Sequence, residues 1–390
     1  MKFLEHRAKE ILFRYGIPIP KGEVVETAAR AAAAAESLGN RVVLKAQIPA
    51  GGRGRAGGIK FALGPEDARA KAEALFKTRL ITPQTGKQGL PIRSILVEEA
   101  VSFRSEFYIG AAVDRSQGRI VLLASPRGGI EIEETARTKP DAVFREEIDP
   151  FVGLLPYQAR RLAFALGLTG ESQTQAAAII TGVARAFLQN DASVIEINPL
   201  ALTDEGRLLA LDAKVVLDDN ALFRHPDFRP PADDPDADPA EAAAARVGLN
   251  YVRLGGDIGC LVNGAGLAMA TADQIQAAGG RPADFLDIGG GVSEDAVREG
   301  FKIVVSDPGV RAVLINVFGG IVRCDLVARG LIGATKETGA RVPFVVRFQG
   351  TNAAEGRALL AASGLAYEPA ETMGEAAKKA VAAARGGSRS

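Results

Sequence analysis

The sequence predicts an α/β protein of two domains, a mixed α+β domain followed by a parallel sheet covered on both faces. Three observations carry this. In the first half, two long helical stretches lead into a hairpin over 193–216. A segment dense in Pro and Asp, "PDFRPPADDPDAD", runs from Pro226 to Asp238 and has little to bury, so it reads as a linker. Beyond it, an apolar run, a glycine loop and a helix recur three times, the pattern of a parallel sheet. The chain has 390 residues. At about 100 to 200 residues per domain that length suits two or three. The boundary falls in the linker, giving domains over 1–235 and 236–390.

The elements follow in order. Phe3 to Tyr15 is an amphipathic helix stopped by Gly16, Pro18 and Pro20. Thr27 to Leu38 is an Ala-rich helix ended by Gly39, and Val42 to Gln47 is a strand. Pro65 to Leu80 is helical; Ile95 to Glu99, Phe107 to Val113 and Ile120 to Ala124 are strands. Helices over Tyr157–Leu166 and Gln173–Leu188 precede the hairpin, whose turn is Thr203-Asp204-Glu205-Gly206. After the linker come the strands Ile258–Val262, Phe285–Ile288 and Val313–Phe318, each followed by a glycine loop and a helix, and Phe344–Phe348 starts a fourth unit. In such sheets ligands bind beyond the strand C-terminal ends, where these glycines fall.

Composition removes several function classes. Hydrophobic residues are 47% and charged residues 24%, an ordinary globular balance. Lys plus Arg equals Asp plus Glu at 47 each, which gives no support to a nucleic-acid or membrane-surface partner. Two cysteines without a CxxC exclude a disulfide framework and fit a reducing cytosol, so a cytoplasmic location is expected. The charged start (Lys2, Glu5, Arg7, Lys9, Glu10) is unlike a secretory signal.

Candidate chemistry gathers around the first strand, "VVLKAQIPAGGRGRAGGIK". Lys45 shares parity with Val43 and Gln47, so these three face one side. The loop that follows carries Gly51, Gly52, Gly54, Gly57 and Gly58 around Arg53 and Arg55. Exposed backbone N–H groups can wrap anionic oxygens, and Arg53 adds a forked contact. No Walker P-loop is present. In "VIEINPLAL", Glu196 and Asn198 share a face; in "LLALDAKVV", Asp212 and Lys214 do. Pairing across the turn brings Glu196, Asn198 and Asp212 together. One carboxylate and one amide oxygen suit Mg²⁺ that already carries nucleotide phosphates. In "ILVEEAVSFRSEFYIG", Glu98 and Glu99 end a strand where adenine would meet a backbone edge and ribose a carboxylate; Glu106 is a second candidate.

Together these pieces resemble the ATP-grasp proteins, and more narrowly the β subunits of ADP-forming succinate–CoA ligases. The resemblance rests on "AGGRGRAGG", "LVEEA", "AAVDR", "GGIEIEE", "PYQARRLAFALGL", "IEINPL", "LDAK", "DDNALFR", "GCLVNGAGLAM", "FLDIGGG" and "INVFGGIVRCD", in family order over nearly the whole chain. It implies an ATP-grasp domain followed by a flavodoxin-like CoA-ligase domain. By position it implies nucleotide contacts at Lys45, Gly52, Arg53, Gly54, Glu98, Val101 and Glu106. It likewise implies Mg²⁺ ligands at Asn198 and Asp212, a catalytic role for Glu196 beside the swinging phosphohistidine, and a diacid site at Asn263, Gly320, Ile321 and Val322. Where the family often has His before "AGGRG", this chain has Pro49.

The reaction so implied joins succinate and CoA at the expense of ATP, as in the tricarboxylic acid cycle, with ATP or GTP as nucleotide. Activating a carboxylate by phosphorylation lets a thiol displace phosphate, and a histidine can ferry the phosphoryl group. This chain has only His6 and His225, neither in a glycine loop nor at a strand end. The resemblance puts the carrier, and the CoA site, on an α subunit, in a heterodimer or heterotetramer. Arg323 is either an assisting cation or a helix-start charge, and Cys324 reads as a small buried hydrophobe. Two rivals stand beside this reading, a malate–CoA ligase β subunit and a non-catalytic nucleotide-binding subunit.

Overall fold

A computed structural model describes residues 1–85, 89–129, 132–228 and 238–386. The chain divides into two compact units, Met1–Arg229 and Pro230–Ser390.

The first unit runs α1 (Glu5–Arg14), β1 (Gly22–Val25), α2 (Ala28–Ser37), β2 (Arg41–Gln47), β3 (Ile59–Leu63), α3 (Pro65–Phe76), β4 (Arg79–Leu80), β5 (Leu90–Pro91) and β6 (Ser94–Glu99). It continues with β7 (Phe103–Asp114), β8 (Arg119–Ser125), α4 (Ile132–Thr138), β9 (Phe144–Ile148), α5 (Pro156–Ala165), α6 (Gly170–Gln189), β10 (Ala192–Thr203), β11 (Leu208–Ala210) and β12 (Ala213–Leu217). A small sheet in the order β1–β6–β2–β3 is covered by α2 and α3. A larger sheet in the order β11–β10–β7–β8–β9, with β12 also on β10, packs against α1, α5 and α6.

Local chemistry explains these elements. Thr27 caps α2 by accepting the Arg30 N–H at 3.3 Å. Pro65 sits in the first turn of α3, where its missing N–H costs nothing. The β2 parity is as expected: Val42, Leu44 and Ala46 join the small-sheet core, so Val43, Lys45 and Gln47 face the other way. The N-terminal residues pair with β12, with Phe3 donating to the Val215 carbonyl at 3.1 Å, which lays α1 beneath the β10–β12 hairpin.

Three expectations need correction. The helix expected to reach Leu80 ends at Phe76, because Arg79–Leu80 pairs with Leu90–Pro91 instead. The return strand of the hairpin is broken at Leu211–Asp212, with Leu202↔Leu208 to Leu200↔Ala210 on one side and Ile197↔Ala213 to Ala192↔Leu217 on the other. The linker begins later than expected: Phe228 is buried, edge-on to Phe3 at 5.4 Å between ring centroids. Residues 229–237 of that segment, and Ile130 and Glu131 of "GGIEIEE", lie outside the described residues.

The second unit holds α7 (Pro239–Arg246), β13 (Asn250–Arg253), β14 (Ile258–Val262), α8 (Ala265–Ala277), β15 (Asp284–Asp287), α9 (Glu294–Ser306) and β16 (Ala312–Gly319). It ends with α10 (Cys324–Thr338), β17 (Phe344–Gly350), α11 (Ala353–Ala362), β18 (Glu368–Pro369) and α12 (Met373–Gly386). Its sheet runs β13–β15–β14–β16–β17–β18 and is parallel except at β13, which pairs antiparallel with β15. One apolar cluster lies on the side of α9, α10 and α11, the other on the side of α8 and α12. That two-sided burial is why β14 and β16 read as continuous apolar runs.

Candidate active site

In the first unit the loop after β2 folds back on itself. Gly58 donates to the Arg53 carbonyl at 2.8 Å, and its own carbonyl accepts from Ala46 at 2.8 Å. A Cβ at position 58 would lie 2.8 Å from Leu80 Cδ2 and 3.1 Å from the Arg53 oxygen, so the closure requires glycine. The fold-back returns Arg53 to the polar face of β2, where it is 8% exposed while Gly52 and Gly54 lie on the surface.

Six charged side chains meet there. Lys45 Nζ lies 2.7 Å from Glu98 Oε2 and 3.2 Å from Glu5 Oε1. Lys9 Nζ lies 2.8 Å from Glu98 Oε2 and 3.0 Å from Glu5 Oε1. Arg53 donates to Asp212 Oδ1 at 3.0 Å and contacts Glu5. Burial opposes the charge on Glu5, but Lys45, Lys9 and Arg53 outweigh it and hold its carboxyl well below the usual carboxylate range. Burial likewise opposes the charge on Lys45, yet Glu5, Glu98 and Asp212 push its pKa up. Burial, reinforced by Glu5, raises the Asp212 carboxyl against the pull of Arg53 and Lys45.

The hairpin brings Asn198 and Asp212 to one level, the Asn198 N–H donating to the Asp212 carbonyl at 3.2 Å. Glu196 pairs instead with Lys214 across the ladder at 3.8 Å. Ile195 and Ile197 are buried and Glu196 and Asn198 half-buried, the alternation expected. Burial raises the Glu196 carboxyl, against Lys214 and a hydrogen bond from Asn198. Asn198 Oδ1 accepts the Gly129 N–H at 2.8 Å. A Cβ at Gly129 would lie 2.6 Å from Glu106 Oε2, so Glu106 and Asn198 approach the same loop. Val101 lies half-buried in the link between β6 and β7.

Two findings were not legible beforehand. Glu98 does not hold its carboxylate out for ribose: it is 2% exposed and spans Lys9 and Lys45. Glu5 and Lys9 complete the cluster, although a charged N-terminal helix reads as a solvated one. The signal was present, because Glu5, Ala8, Lys9 and Leu12 follow the i, i+3, i+4, i+7 spacing of a buried stripe.

Mg²⁺ fits this donor set. Among the described residues no three His, Cys, Asp or Glu side chains form a complete metal cage. One carboxylate at Asp212 and one amide oxygen at Asn198 are the few hard protein oxygens a phosphate-bound Mg²⁺ takes.

In the second unit the candidates gather at strand C-terminal ends. The Asn263 amide pairs both ways with the Phe318 backbone, donating at 2.9 Å and accepting at 2.8 Å, which ties the loop after β14 to the end of β16. Gly320 N–H turns back to the Phe318 carbonyl at 3.1 Å. Ile321 is 83% exposed and Val322 2% exposed. Among the described residues the N–H groups of both lack an acceptor, and α10 begins just beyond them. Such N–H groups near a helix N-terminus suit a carboxylate or phosphate. Arg323 is committed to Asp325 at 2.9 Å. Cys324 is fully buried and burial pushes its thiol up to about 11, as befits a small hydrophobe. In the first unit His6 meets Gln47 Oε1 at 3.1 Å, beside the Lys45 face of β2, and His225 meets Asp191 Oδ2 at 2.7 Å.

Residues 2–202 match the family model described as an ATP-grasp domain, and residues 261–381 the one described as CoA-ligase. Fold and site thus define an ATP-grasp acid–CoA ligase chain. The succinate–CoA ligase [ADP-forming] subunit beta of Anaeromyxobacter dehalogenans is 51% identical over 99% of this chain and 100% of its own length. That of Persephonella marina is 50% identical over 98% of each chain. The chain belongs to this family, the β subunits of ADP-forming succinate–CoA ligases. Among solved structures, ATP citrate lyase from Methanothrix soehngenii in complex with citrate and coenzyme A shares the fold, with a TM-score of 0.75 at 17% identity over 98% of this chain and 99% of that one. Among the described residues no helix is long and apolar enough to cross a membrane.

Proposed function

We propose that the first unit binds the magnesium nucleotide and transfers its terminal phosphoryl group to a histidine of a partner α subunit, while the second unit contributes part of the diacid and phosphate site. The observation that carries this reading is the convergence of Lys45, Arg53 and Asp212 on the polar face of β2. Lys45 and Arg53 neutralise phosphate oxygens, fixed cations in a water-poor site where they act most strongly. Asn198 and Asp212 hold Mg²⁺, which neutralises charge on the transferred phosphoryl when bound. Glu196, with its raised carboxyl, orients the incoming imidazole. Gly52 and Gly54, whose carbonyls accept from Ala56 and Gly57, offer phosphate their N–H groups, and Glu98 acts through Lys45. Val101 and Glu106 complete the nucleotide side.

Ile321 and Val322 N–H groups receive one carboxylate of succinate, held in register by Gly320 and by Asn263. Both histidines of this chain are held within the first unit, His6 by Gln47 and His225 by Asp191, and the family to which the chain belongs supports a carrier on a partner, in an αβ pair. The adenine nucleotide is favoured by the names of the relatives. Co-expression with the α chain tests the proposal. ADP release should depend on both succinate and CoA; faster release with malate, or release without CoA, overturns it.

A further inference from the structure

Glu5 and Lys9 belong to no motif of the reading above, yet among the described residues they rank with the most deeply buried charges of the first unit. Each side chain is 2% exposed. Both lie on the stripe of α1 that also buries Ala8, Ile11 and Leu12, where apolar residues would pack without any cost of desolvation. An ion pair at such a place is a poor device for stability alone.

The contacts indicate what it serves. Glu5 touches all three cations, Lys9, Lys45 and Arg53, and Glu98 touches the two lysines. Arg53 divides its guanidinium between Glu5 and Asp212. Counting Asp212, the cluster is neutral, with Lys9, Lys45 and Arg53 against Glu5, Glu98 and Asp212. Without Lys9, two buried carboxylates would draw Lys45 and Arg53 inward, away from an incoming phosphate. Without Glu5, Arg53 would keep the Ala46 carbonyl, at 3.3 Å, and Asp212 would be its remaining carboxylate partner, so that it competes for the carboxylate a metal must reach.

We propose that the Glu5–Lys9 pair positions the phosphate cations: Glu5 gives Arg53 a second anchor so that it can leave Asp212, and Lys9 neutralises Glu98 so that Lys45 stays available. Both are positioning residues, and the inference rests on the assignment of Lys45, Arg53 and Asp212 to the magnesium nucleotide.

The test is equilibrium binding of ADP to the full αβ complex, by calorimetry, across a magnesium titration. Glu5→Gln should raise the magnesium concentration needed for half-maximal binding by about tenfold, a change of one decade in the apparent constant. Lys9→Met should weaken ADP about tenfold with and without magnesium alike. The KM for succinate and for CoA should stay unchanged in both, a split that general loosening of the fold would not give. Arg7→Ala, on the exposed side of α1 and paired with Glu10 at 2.7 Å, should change nothing.

Lys45→Ala separates the two levels of the proposal. If Lys45→Ala loses ADP binding while Glu5→Gln and Lys9→Met keep it unchanged, the positioning role is overturned and the nucleotide site stands. If Lys45→Ala itself binds ADP normally, the nucleotide assignment falls and the inference with it. Should Glu5→Gln not fold, Glu5→Asp, which keeps the charge but shortens its reach, must show a smaller shift in the same direction. Unaltered magnesium dependence in Glu5→Asp overturns the proposal.

Discussion

Glu5 in the first unit and Asp284 in the second are carboxylates of nearly equal burial, 5% and 1% exposed, and their surroundings drive them in opposite directions. Burial opposes ionisation in both. At Glu5 three cations outweigh it and the carboxyl is pulled far down. At Asp284 only the Cys260 N–H, at 3.0 Å, and a more distant Arg253 oppose burial, so the carboxyl is pushed up to about 7. Among the described residues its buried Oδ2 has neither a hydrogen-bond partner nor, unlike Glu5 Oε2 beside Arg53, a cation in contact. Burial alone therefore does not mark a working charge. A set of charges of both signs packed against one another does, because it holds Glu5, Lys45 and Arg53 in their charged forms despite burial.

The widest separation between the two regions should come from Lys45→Ala. It removes a cation from the balanced cluster and should lower ATP-dependent phosphorylation of the partner by at least about a hundredfold, the scale for loss of one preorganised charge. Succinate KM should hardly move. Rapid-quench phosphorylation beside steady-state kinetics checks both.

Asp284→Asn should act on stability and leave the nucleotide site alone. A raised carboxyl keeps its proton in the folded state while the unfolded chain has lost it. The folded state therefore loses stability as pH rises from about 4 to about 7, and the full cost stands above that. Removing the charge should raise the thermal midpoint of the second unit more at pH 8 than at pH 5, reflecting about 2 to 4 kcal/mol at the higher pH. An equal rise at both would mean the carboxyl is not protonated in the fold. The pair around Glu5 has the opposite sign: its stabilisation is present above the unfolded carboxylate pKa and is lost as pH falls.

Asn263→Ala should have the smallest effect of the three. It frees the Phe318 backbone and loosens the loop that carries Gly320 to Val322. Succinate KM should rise about tenfold, in line with loss of a bidentate polar contact, with ATP KM unchanged. A change in ATP KM instead would break the division of labour between the two regions.

Much of this arrangement was legible in the residues. The parity of Lys45 with Val43 and Gln47 follows from the strand period, and the polar residues of "VIEINPLAL" and "LLALDAKVV" interrupt apolar strands that pair with each other across a turn. The three strand–glycine–helix repeats marked the parallel sheet and the strand ends at which ligands were expected. What stayed hidden depended on contacts distant in sequence. Nothing local says that Glu98 will be shared by lysines from α1 and β2, 89 residues away in the case of Lys9. Glu5 and Lys9 lay on a buried stripe, but charge at helical spacing also describes a solvated face, and only the cations packed against it decide between them. The break at Leu211–Asp212 was hidden because strand propensity runs through it; the break turns Asp212 toward Arg53. The antiparallel edge strand Asn250–Arg253 is short and polar, so its pairing with β15 supplies the order its own sequence lacks.

The most direct test of the central claim is transfer of the γ-phosphoryl of labelled ATP to the partner's histidine in the αβ complex carrying Asp212→Ala. Asp212 is the carboxylate proposed to take the metal, and it also anchors Arg53 at 3.0 Å. Its loss should abolish labelling while leaving the complex assembled. Labelling at the rate of the unsubstituted complex would contradict the assignment of the first unit as the magnesium–nucleotide site.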